Sequence, residues 1–331
     1  MRIGSVDTTE QVAVVAEIGN NHEGDIDVAI ELTRAAAAAG AHAVKFQAID
    51  PPRLVRPSET ARLEQLARFQ LTPEQFGLLH DEARRLGVGF LCTPFDVDAV
   101  AWLAPLVDAF KIASADNDFT ALIAAAADTG RPVIVSAGMT DLSDVRAARD
   151  LVTEHGAEFA ALHCVSAYPT EPQDAALATI RTLAEGLDAT VGYSDHTLGI
   201  DACVLSVALG ARILEKHFTL RHDYSEFRDH QLSADPTELA DLVRRVAEAQ
   251  TLIGTTRTGV LAAEEPVSTA ARRSIVAARD LPVGHVVSAE DLTWLRPGDG
   301  LSPGREHELI GRALKRAVTH GETLLRDDVA E

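Results

Sequence analysis

The chain has 331 residues, 46% of them hydrophobic, and its 50 acidic and 30 basic side chains give a formal net charge of -20. This length exceeds that of one small domain and accommodates an α/β barrel of about 250 residues with a short second domain. The negative charge disfavours binding to nucleic acid or to an anionic membrane surface, so an anionic substrate must meet a local cluster of lysine and arginine side chains.

Eight short β-rich runs alternate with alanine-rich helical stretches. They are Val12 to Gly19, Ala41 to Ala48, Gly87 to Pro94, Asp108 to Ser114, Pro132 to Gly138, Phe159 to Ser166, Thr190 to His196, and Arg212 to Phe218. Such alternation is typical of a parallel sheet, and eight repeats predict a (β/α)8 barrel, the TIM-barrel fold. Two helix starts are marked by a capping residue followed by proline, at Thr72-Pro73 and at Asp235-Pro236.

A change of pattern after Gly254 predicts the end of the barrel. We expect a catalytic barrel over residues 1–256 and a linker over residues 257–271, which contains Glu264-Glu265-Pro266. Residues 272–331 contain short strand-like segments separated by turns and predict a small, mostly-β domain. Because about 60 residues enclose only a small core, this domain is expected to dock on a larger surface.

The three cysteines, Cys92, Cys164 and Cys203, are too few and too widely spaced for a disulfide framework or a zinc motif of paired thiolates. They are predicted to be reduced and mostly buried. No apolar run approaches the roughly 20 residues that span a bilayer, and the first residues do not resemble a signal peptide. A cytoplasmic protein is therefore expected.

Polar side chains gather at the carboxyl ends of the predicted strands, where barrel enzymes keep their active sites. They are Glu17, Lys45, Gln47, Thr93, Lys111, Ser114, Ser136, Ser166, Ser194, His196, Glu215 and His217. Strand alternation places Lys45 with Gln47, and Glu215 with His217, on the inner face, and it places Lys216 outside.

Two lysines among these residues predict an anion site. Lys45 and Lys111, beside the hydroxyls of Thr93, Ser114 and Ser194, suit a phosphate or carboxylate group. The alternative is that each lysine merely extends from its strand end into solvent. Two lysines and three hydroxyls on different strands favour the anion site.

Two histidines predict a metal site. His196 and His217 end consecutive predicted strands, whose backbones lie about 4.8 Å apart, so their imidazoles could share one divalent ion. Two histidines do not distinguish manganese, magnesium, iron and zinc. A pair of hydrogen-bonded core histidines is the alternative interpretation.

The motifs at these strand ends resemble those of the sialic acid synthase family. They are Ala16-Glu17-Ile18-Gly19-Asn20-Asn21-His22-Glu23-Gly24-Asp25, Val44-Lys45-Phe46-Gln47, Cys92-Thr93-Pro94-Phe95, Phe110-Lys111-Ile112-Ala113-Ser114, Val135-Ser136-Ala137-Gly138-Met139, His163-Cys164-Val165-Ser166-Ala167-Tyr168-Pro169-Thr170, Gly192-Tyr193-Ser194-Asp195-His196-Thr197 and Leu214-Glu215-Lys216-His217-Phe218-Thr219. The last 60 residues are similar to the antifreeze-like (SAF) domain of these synthases, through Arg273-Ser274-Ile275-Val276-Ala277, Asp291-Leu292-Thr293-Trp294-Leu295-Arg296-Pro297-Gly298 and Leu309-Ile310-Gly311.

The resemblance implies an enzyme that condenses phosphoenolpyruvate with an open-chain amino sugar, such as N-acetylmannosamine, to a 2-keto-3-deoxy acid and phosphate. It implies that phosphoenolpyruvate is held by Lys45, Thr93, Lys111, Ser114 and Ser194, with Ser136 and Ser166 as further substrate-binding residues. It implies that Glu17, Gln47, Tyr168 and Asp229 face the sugar. It also implies that His196 and His217 bind a divalent metal, typically manganese, with magnesium as an alternative.

The same resemblance implies a domain-swapped homodimer, in which Arg296 reaches the sugar site of the other chain. Two departures from the family pattern lie near that site. Asp116 stands where bacterial N-acetylneuraminate synthases carry glutamate, and we count it among the catalytic residues with Glu17, both lysines and both histidines. Phe227-Arg228 stands before Asp229-His230 where the family commonly has Gly-Pro. The alternatives are condensation with a different aldose, an aldolase, or a catalytically silent sugar-binding barrel.

Overall fold

The protein is described by a computed structural model that covers all 331 residues. The chain divides into two compact units, Met1–Gly254 and Thr255–Glu331. None of its helices combines the length and the apolar character that a bilayer crossing requires. The three cysteines are free and buried, as predicted.

The first unit is built around a closed barrel of parallel strands. Its strands are β1 (Arg2–Ile3), β2 (Val6–Asp7), β3 (Ala13–Gly19), β4 (Ala43–Ala48), β5 (Gly89–Pro94), β6 (Ala109–Ile112), β7 (Val133–Ser136), β8 (Phe159–Cys164), β9 (Thr190–Asp195) and β10 (Ile213–His217). Strands β3 to β10 pair in sequence order, and β10 closes the barrel on β3. All eight predicted strands are confirmed. Several predicted runs extend beyond the observed strands, because their last residues turn away from the ladder into the loops above the barrel.

Helices surround the barrel. They are α1 (Ile26–Ala38), α2 (Pro51–Leu54), α3 (Thr60–Ala67), α4 (Pro73–Leu86), α5 (Val97–Leu103), α6 (Thr120–Asp128), α7 (Leu142–Glu154), α8 (Thr179–Leu187), α9 (Asp201–Ala208), α10 (Asp229–Leu232) and α11 (Pro236–Ile253). The two predicted helix starts are confirmed as capping boxes, in which Thr72 pairs with Gln75 and Asp235 with Glu238.

The lumen of the barrel is apolar at its amino-terminal end. Small and branched side chains from the strands fill it, and Ile3 and Val6 of the β1–β2 hairpin pack against them. The hairpin, which no sequence pattern predicted, therefore closes this end. Gly4 makes the approach possible: its φ is +56°, and a Cβ there would meet the backbone N of Gly89 at 2.8 Å and the carbonyl O of His42 at 2.9 Å.

The second unit is small and mostly irregular. Its elements are α12 (Glu265–Ala271), β11 (Ser274–Ala277) and β12 (Leu292–Leu295), and the two strands pair antiparallel. A separate apolar cluster, which includes Ile275, Leu309 and Leu324, forms its core.

A buried histidine beside the barrel predicts a pH-dependent stability. His22 is 1% exposed, its Nδ1 accepts a hydrogen bond from Gly24 N, and burial lowers its pKa to about 4 from 6.5. The unfolded chain takes up this proton as the pH falls through 6.5, whereas the folded chain does so only near pH 4. The free energy of unfolding therefore falls between pH 6.5 and pH 4. The pKa difference corresponds to a loss of roughly 3 kcal/mol.

The measurement is urea unfolding between pH 7 and pH 4.5 on the wild type and on His22→Asn, which keeps an acceptor for Gly24 N. We expect the variant to lose less free energy of unfolding over this range than the wild type. An identical pH dependence in the two proteins would contradict the assignment.

Candidate active site

A cavity of about 1050 Å³ opens at the carboxyl-terminal ends of the strands. Of the predicted site residues, those lining it are Glu17, Lys45, Gln47, Thr93, Lys111, Ser114, Ser136, Ser166, Tyr168, Ser194, Asp229, His196 and His217. The barrel thus brings together side chains that are up to 212 positions apart, from Glu17 to Asp229.

Strand register explains why these side chains share one cavity. In the β3–β4 pair Glu17 lies beside Lys45, and in the β9–β10 pair Ser194 lies beside Glu215. Seven of the eight barrel strands, all except β9, contribute apolar residues to the lower lumen and polar residues from the same face to the mouth. The side-chain orientation predicted for these strands is confirmed.

Lys45 is held between two carboxylates. Its Nζ lies 3.1 Å from Glu17 Oε2 and 3.4 Å from Glu215 Oε2, and it donates a hydrogen bond to Thr93 Oγ1 at 3.2 Å. The contact with Glu17 is within ion-pair distance, although Oε2 accepts no aligned hydrogen bond. Burial alone would favour the neutral amine, but the two carboxylates raise the pKa of Lys45. Lys45 is therefore a fixed positive charge.

Lys111 lies in a different environment. Its Nζ donates to Ser136 Oγ at 2.6 Å and to Ile112 O at 3.1 Å, and Glu215 Oε1 is 3.9 Å away. Burial lowers the pKa of Lys111, only partly opposed by Glu215. An arriving anion would favour its charged form, so this side chain suits a phosphate or carboxylate that binds transiently.

The two carboxyl groups beside Lys45 differ in protonation. Burial raises the pKa of Glu17 despite Lys45. Burial also opposes ionisation of Glu215, but Lys111 and Lys45 lower its pKa to about 2. Glu215 is therefore a permanent anion, and Glu17 is the carboxyl group that can carry a proton. Glu215 appeared at a strand end in the sequence, but only its contacts with both lysines indicate this role.

Glu17 is oriented by amide side chains. Gln47 Nε2 donates to Glu17 Oε1 at 2.7 Å, and Asn20 Nδ2 donates to Gln47 Oε1 at 3.2 Å. Asn20 was not predicted as a site residue, although it lies within the first motif quoted for the family resemblance. Together the amides fix the direction in which Glu17 presents its carboxyl group.

Gly138 shapes the hydroxyl-rich wall. A Cβ at this position would lie 2.6 Å from Ser114 Oγ and 2.7 Å from Ser166 Oγ. Ser166 Oγ is buried without a hydrogen-bond partner, so it is available to a ligand. Asn117 Nδ2 donates to the carbonyl oxygens of Ser136 and Gly138 and holds this wall in place. Neither Gly138 nor Asn117 was predicted as a site residue.

The two histidines lie next to the hydroxyl-rich wall, with ring centroids 5.4 Å apart. His196 Nδ1 lies 2.8 Å from Val165 O, and because a carbonyl oxygen only accepts, Nδ1 carries the proton and leaves Nε2 free. His217 Nδ1 is buried without a hydrogen-bond partner. Burial, together with His196 and Lys45, lowers the pKa of His217 well below its usual value.

These properties fit a divalent cation, because a metal binds the neutral imidazole through an unshared nitrogen. A proton competes with the metal ion for His196 Nε2. Burial disfavours the charged imidazolium, but the Cys164 sulfur, 3.9 Å from Nδ1, helps to raise the pKa of His196. Another group of potential ligands, His222 with Asp235 and Glu238, lies elsewhere. Its two carboxylates already cap α11, so it is the weaker candidate.

Aromatic residues form the outer rim of the cavity. The Tyr168 ring lies 4.1 Å from that of His196, and the Arg228 guanidinium lies 5.3 Å from the Tyr168 ring. Phe227 packs on Phe69 with centroids 4.9 Å apart. Phe227 and Arg228, where the chain departs from the family pattern, thus line the cavity directly.

Two predicted site residues do not line this cavity. Asp116 lies on the 3-10 turn Ser114–Asp116, where its Oδ2 is buried without a partner. Burial, with Asp118 nearby, raises the pKa of Asp116. Arg296 is an exposed residue that follows β12 in the second unit. The roles of both residues remain predictions.

Comparison with known proteins identifies the family. The chain matches the NeuB family over residues 32–258 and the SAF domain over residues 272–330. It is 36% identical to the N,N'-diacetyllegionaminic acid synthase of Legionella pneumophila, over 96% of this chain and 94% of that protein. It is 31% identical to the N-acetylneuraminate-9-phosphate synthase of Homo sapiens, over 95% and 91% of the two chains.

A solved structure agrees with these matches. The crystal structure of N-acetylneuraminic acid (sialic acid) synthetase from Leptospira borgpetersenii serovar Hardjo-bovis, in complex with citrate, superposes with a TM-score of 0.77 at 33% identity. The match covers 81% of this chain and 94% of that one. The resemblance seen in the sequence motifs is confirmed. With a family match over more than half of its length and relatives above 30% identity over almost all of it, the chain belongs to the NeuB family and carries a SAF domain after its barrel.

Proposed function

We propose that the protein is a transferase that condenses phosphoenolpyruvate with the open-chain aldehyde of an amino sugar, giving a 2-keto-3-deoxy acid and phosphate. The observation that carries the proposal is one cavity lined by two buried lysines, several hydroxyls and two neighbouring imidazoles. The lysines and hydroxyls suit a compact anion, and the imidazoles suit a divalent cation. The sialic-acid-type synthase names of the relatives support the same reaction.

Phosphoenolpyruvate would bind at the lysine side of the cavity. Lys45 and Lys111 would neutralise its phosphate and carboxylate groups. The hydroxyls that would donate hydrogen bonds to it are those of Thr93, Ser114, Ser136, Ser166 and Ser194. Glu215, as a permanent anion between the lysines, would hold both ammonium groups in place before the ligand arrives.

His196 and His217 would hold a divalent ion, for which manganese is our first candidate and magnesium the alternative. When bound, the ion would act as a Lewis acid towards the aldehyde oxygen of the sugar. Gln47, Tyr168 and Asp229 would orient the sugar beside the two histidines.

Glu17 would supply the proton that the reaction needs. A C–C bond forms between the enol carbon and the aldehyde carbon, so the aldehyde oxygen must gain a proton to become a hydroxyl. Glu17 is buried, oriented by Gln47, and has the raised pKa of a carboxyl group that can donate one. Water then adds to the former enol C–O carbon, and phosphate leaves. Asp116, with its raised pKa, is proposed as a second carboxyl group near the sugar end.

The test is a phosphate-release assay with phosphoenolpyruvate, manganese and a panel of sugars. The panel contains N-acetylmannosamine, its 6-phosphate, the diacetamido sugar corresponding to N,N'-diacetyllegionaminic acid, and plain mannose. We expect phosphate and a keto acid to appear in equal amounts, and only when an amino sugar is present. Turnover with mannose alone would indicate a different aldose, and formation of free pyruvate would indicate an aldolase. Bound sugar without phosphate release would indicate a silent binding barrel.

We further propose that two copies form a domain-swapped homodimer in which Arg296 of one chain completes the sugar site of the other. The family resemblance and the exposure of Arg296 support this arrangement. An arginine suits the task, because its guanidinium group donates several hydrogen bonds in a fixed geometry.

Complementation tests the swap. Lys45→Ala and Arg296→Ala should each be severely impaired, but mixed dimers should recover part of the activity. One barrel in such a dimer keeps Lys45 and receives an intact Arg296, so one site carries neither lesion. Differently tagged chains verify the exchange. If mixed dimers form and activity stays at the level of the parents, Arg296 does not act on the other chain.

A further inference from the structure

A buried ion pair lies behind the two histidines, on the outer side of the barrel. Asp195 and Lys216 are 0% and 1% exposed, and Asp195 Oδ2 lies 2.9 Å from Lys216 Nζ. Asp195 directly precedes His196, and Lys216 directly precedes His217. The two imidazoles line the cavity, whereas Asp195 and Lys216 do not, so the ion pair lies on the other side of the chain from the imidazoles.

The ion pair also holds the turn that contains His196. Asp195 Oδ1 accepts hydrogen bonds from Thr197 N and Thr197 Oγ1, both at 2.8 Å, and from Tyr193 OH at 3.0 Å. Lys216 Nζ donates to Thr197 O at 2.5 Å. Asp195 before His196 and Thr197 after it are therefore bonded to each other and to the Lys216 ammonium group.

The ion pair holds His196 at a point where strand pairing no longer fixes the backbone. In the ladder between β9 and β10 the last paired residues are Asp195 and Lys216, so His196 lies beyond the end of β9. Apart from the ion pair, His196 is held by the hydrogen bond between its Nδ1 and Val165 O and by Thr170 N, which donates to its carbonyl oxygen. His217, in contrast, is still paired with Glu17 on β3.

Stability alone is a weak explanation for such a pair. Removing two charges from water is costly, and apolar side chains of similar size often stabilise a core equally well. An ion pair that also forms hydrogen bonds with the surrounding chain has a different property, because it restricts the arrangement of the segments that it joins. Here those segments carry the two imidazoles.

We propose that the Asp195–Lys216 ion pair is a positioning device that sets the distance and direction between the His196 and His217 imidazoles, and through them the affinity for the divalent ion. The proposal rests on the metal-dependent function proposed above. Asp195 and Lys216 are positioning residues, because neither lines the cavity.

The test measures metal binding rather than activity. Free Mn²⁺ is titrated by electron paramagnetic resonance into metal-free wild type, Lys216→Met and Thr197→Val, at a temperature where circular dichroism shows each to be folded. We expect the dissociation constant to rise about tenfold or more in Lys216→Met, as for other groups that orient metal ligands. Thr197→Val removes one hydrogen bond and no charge, so it should fold and show a smaller rise.

The matched control is Leu79→Ala, which creates a cavity beneath α4, away from the histidines. It should lower stability and leave manganese affinity within about twofold of the wild type, because it does not touch the ligand-bearing strands. Wild-type affinity in both Lys216→Met and Thr197→Val would overturn the positioning role. If Lys216→Met does not fold, the affinity of Thr197→Val decides alone. A wild type that binds no divalent ion would overturn the metal site itself, and the positioning role with it.

Discussion

Replacing His217 with alanine is expected to lower the rate of condensation by about a thousandfold or more and to leave the barrel folded. His217 offers a buried, neutral imidazole whose Nδ1 has no hydrogen-bond partner within the protein. Its removal would leave the proposed ion with the His196 imidazole alone and deprive the aldehyde of its polarising group. Since the side chain faces a cavity, little packing is lost.

Bound manganese and phosphate release are the two measurements for this variant. The control is His42→Asn, because His42 is also a histidine with a lowered pKa but lies near the amino-terminal end of the barrel, where its Nδ1 accepts from Val14 N. Asparagine retains an acceptor, so turnover should stay close to that of the wild type. A His217→Ala enzyme that keeps both its ion and its turnover would show that this histidine is not a metal ligand.

Replacing Lys45 with methionine is expected to weaken phosphoenolpyruvate binding by about 30- to 100-fold, the range for loss of a strong charge-assisted hydrogen bond. A second effect acts in the same direction. Without the ammonium group, Glu17 and Glu215 face the arriving anion with one positive charge fewer between them. Proton uptake by Glu17, whose pKa is already raised by burial, would offset part of this second effect.

Stability must be separated from binding in this experiment, because breaking a buried ion pair also destabilises the fold by about 3–5 kcal/mol. The double variant Lys45→Met with Glu17→Gln removes one charge of each sign and should recover much of that stability. It should not recover affinity, measured by calorimetry with phosphoenolpyruvate. Full affinity in either variant would mean that Lys45 does not contact the substrate.

Much of the barrel and most of the cavity could be predicted from the sequence alone. Buried parallel strands appear as short apolar runs, and their polar ends mark the carboxyl-terminal mouth. The inner face of each strand follows from two-residue alternation, so the sequence alone places Lys45 and His217 in one cavity. Local rules of this kind depend only on neighbouring residues, and the helix caps at Thr72 and Asp235 follow from them as well.

Other features of the protein depend on contacts between segments that are distant in the sequence, and only the tertiary structure shows them. The β1–β2 hairpin closes the lumen because the backbones of Gly4 and Gly89 approach closely, and no local sequence pattern predicts that contact. Glu17 and Glu215 are both carboxylates at strand ends, yet their pKa values move in opposite directions because Glu215 contacts two lysines and Glu17 one. Protonation and ion pairing depend on distances in space, and those distances exist only once the barrel has closed.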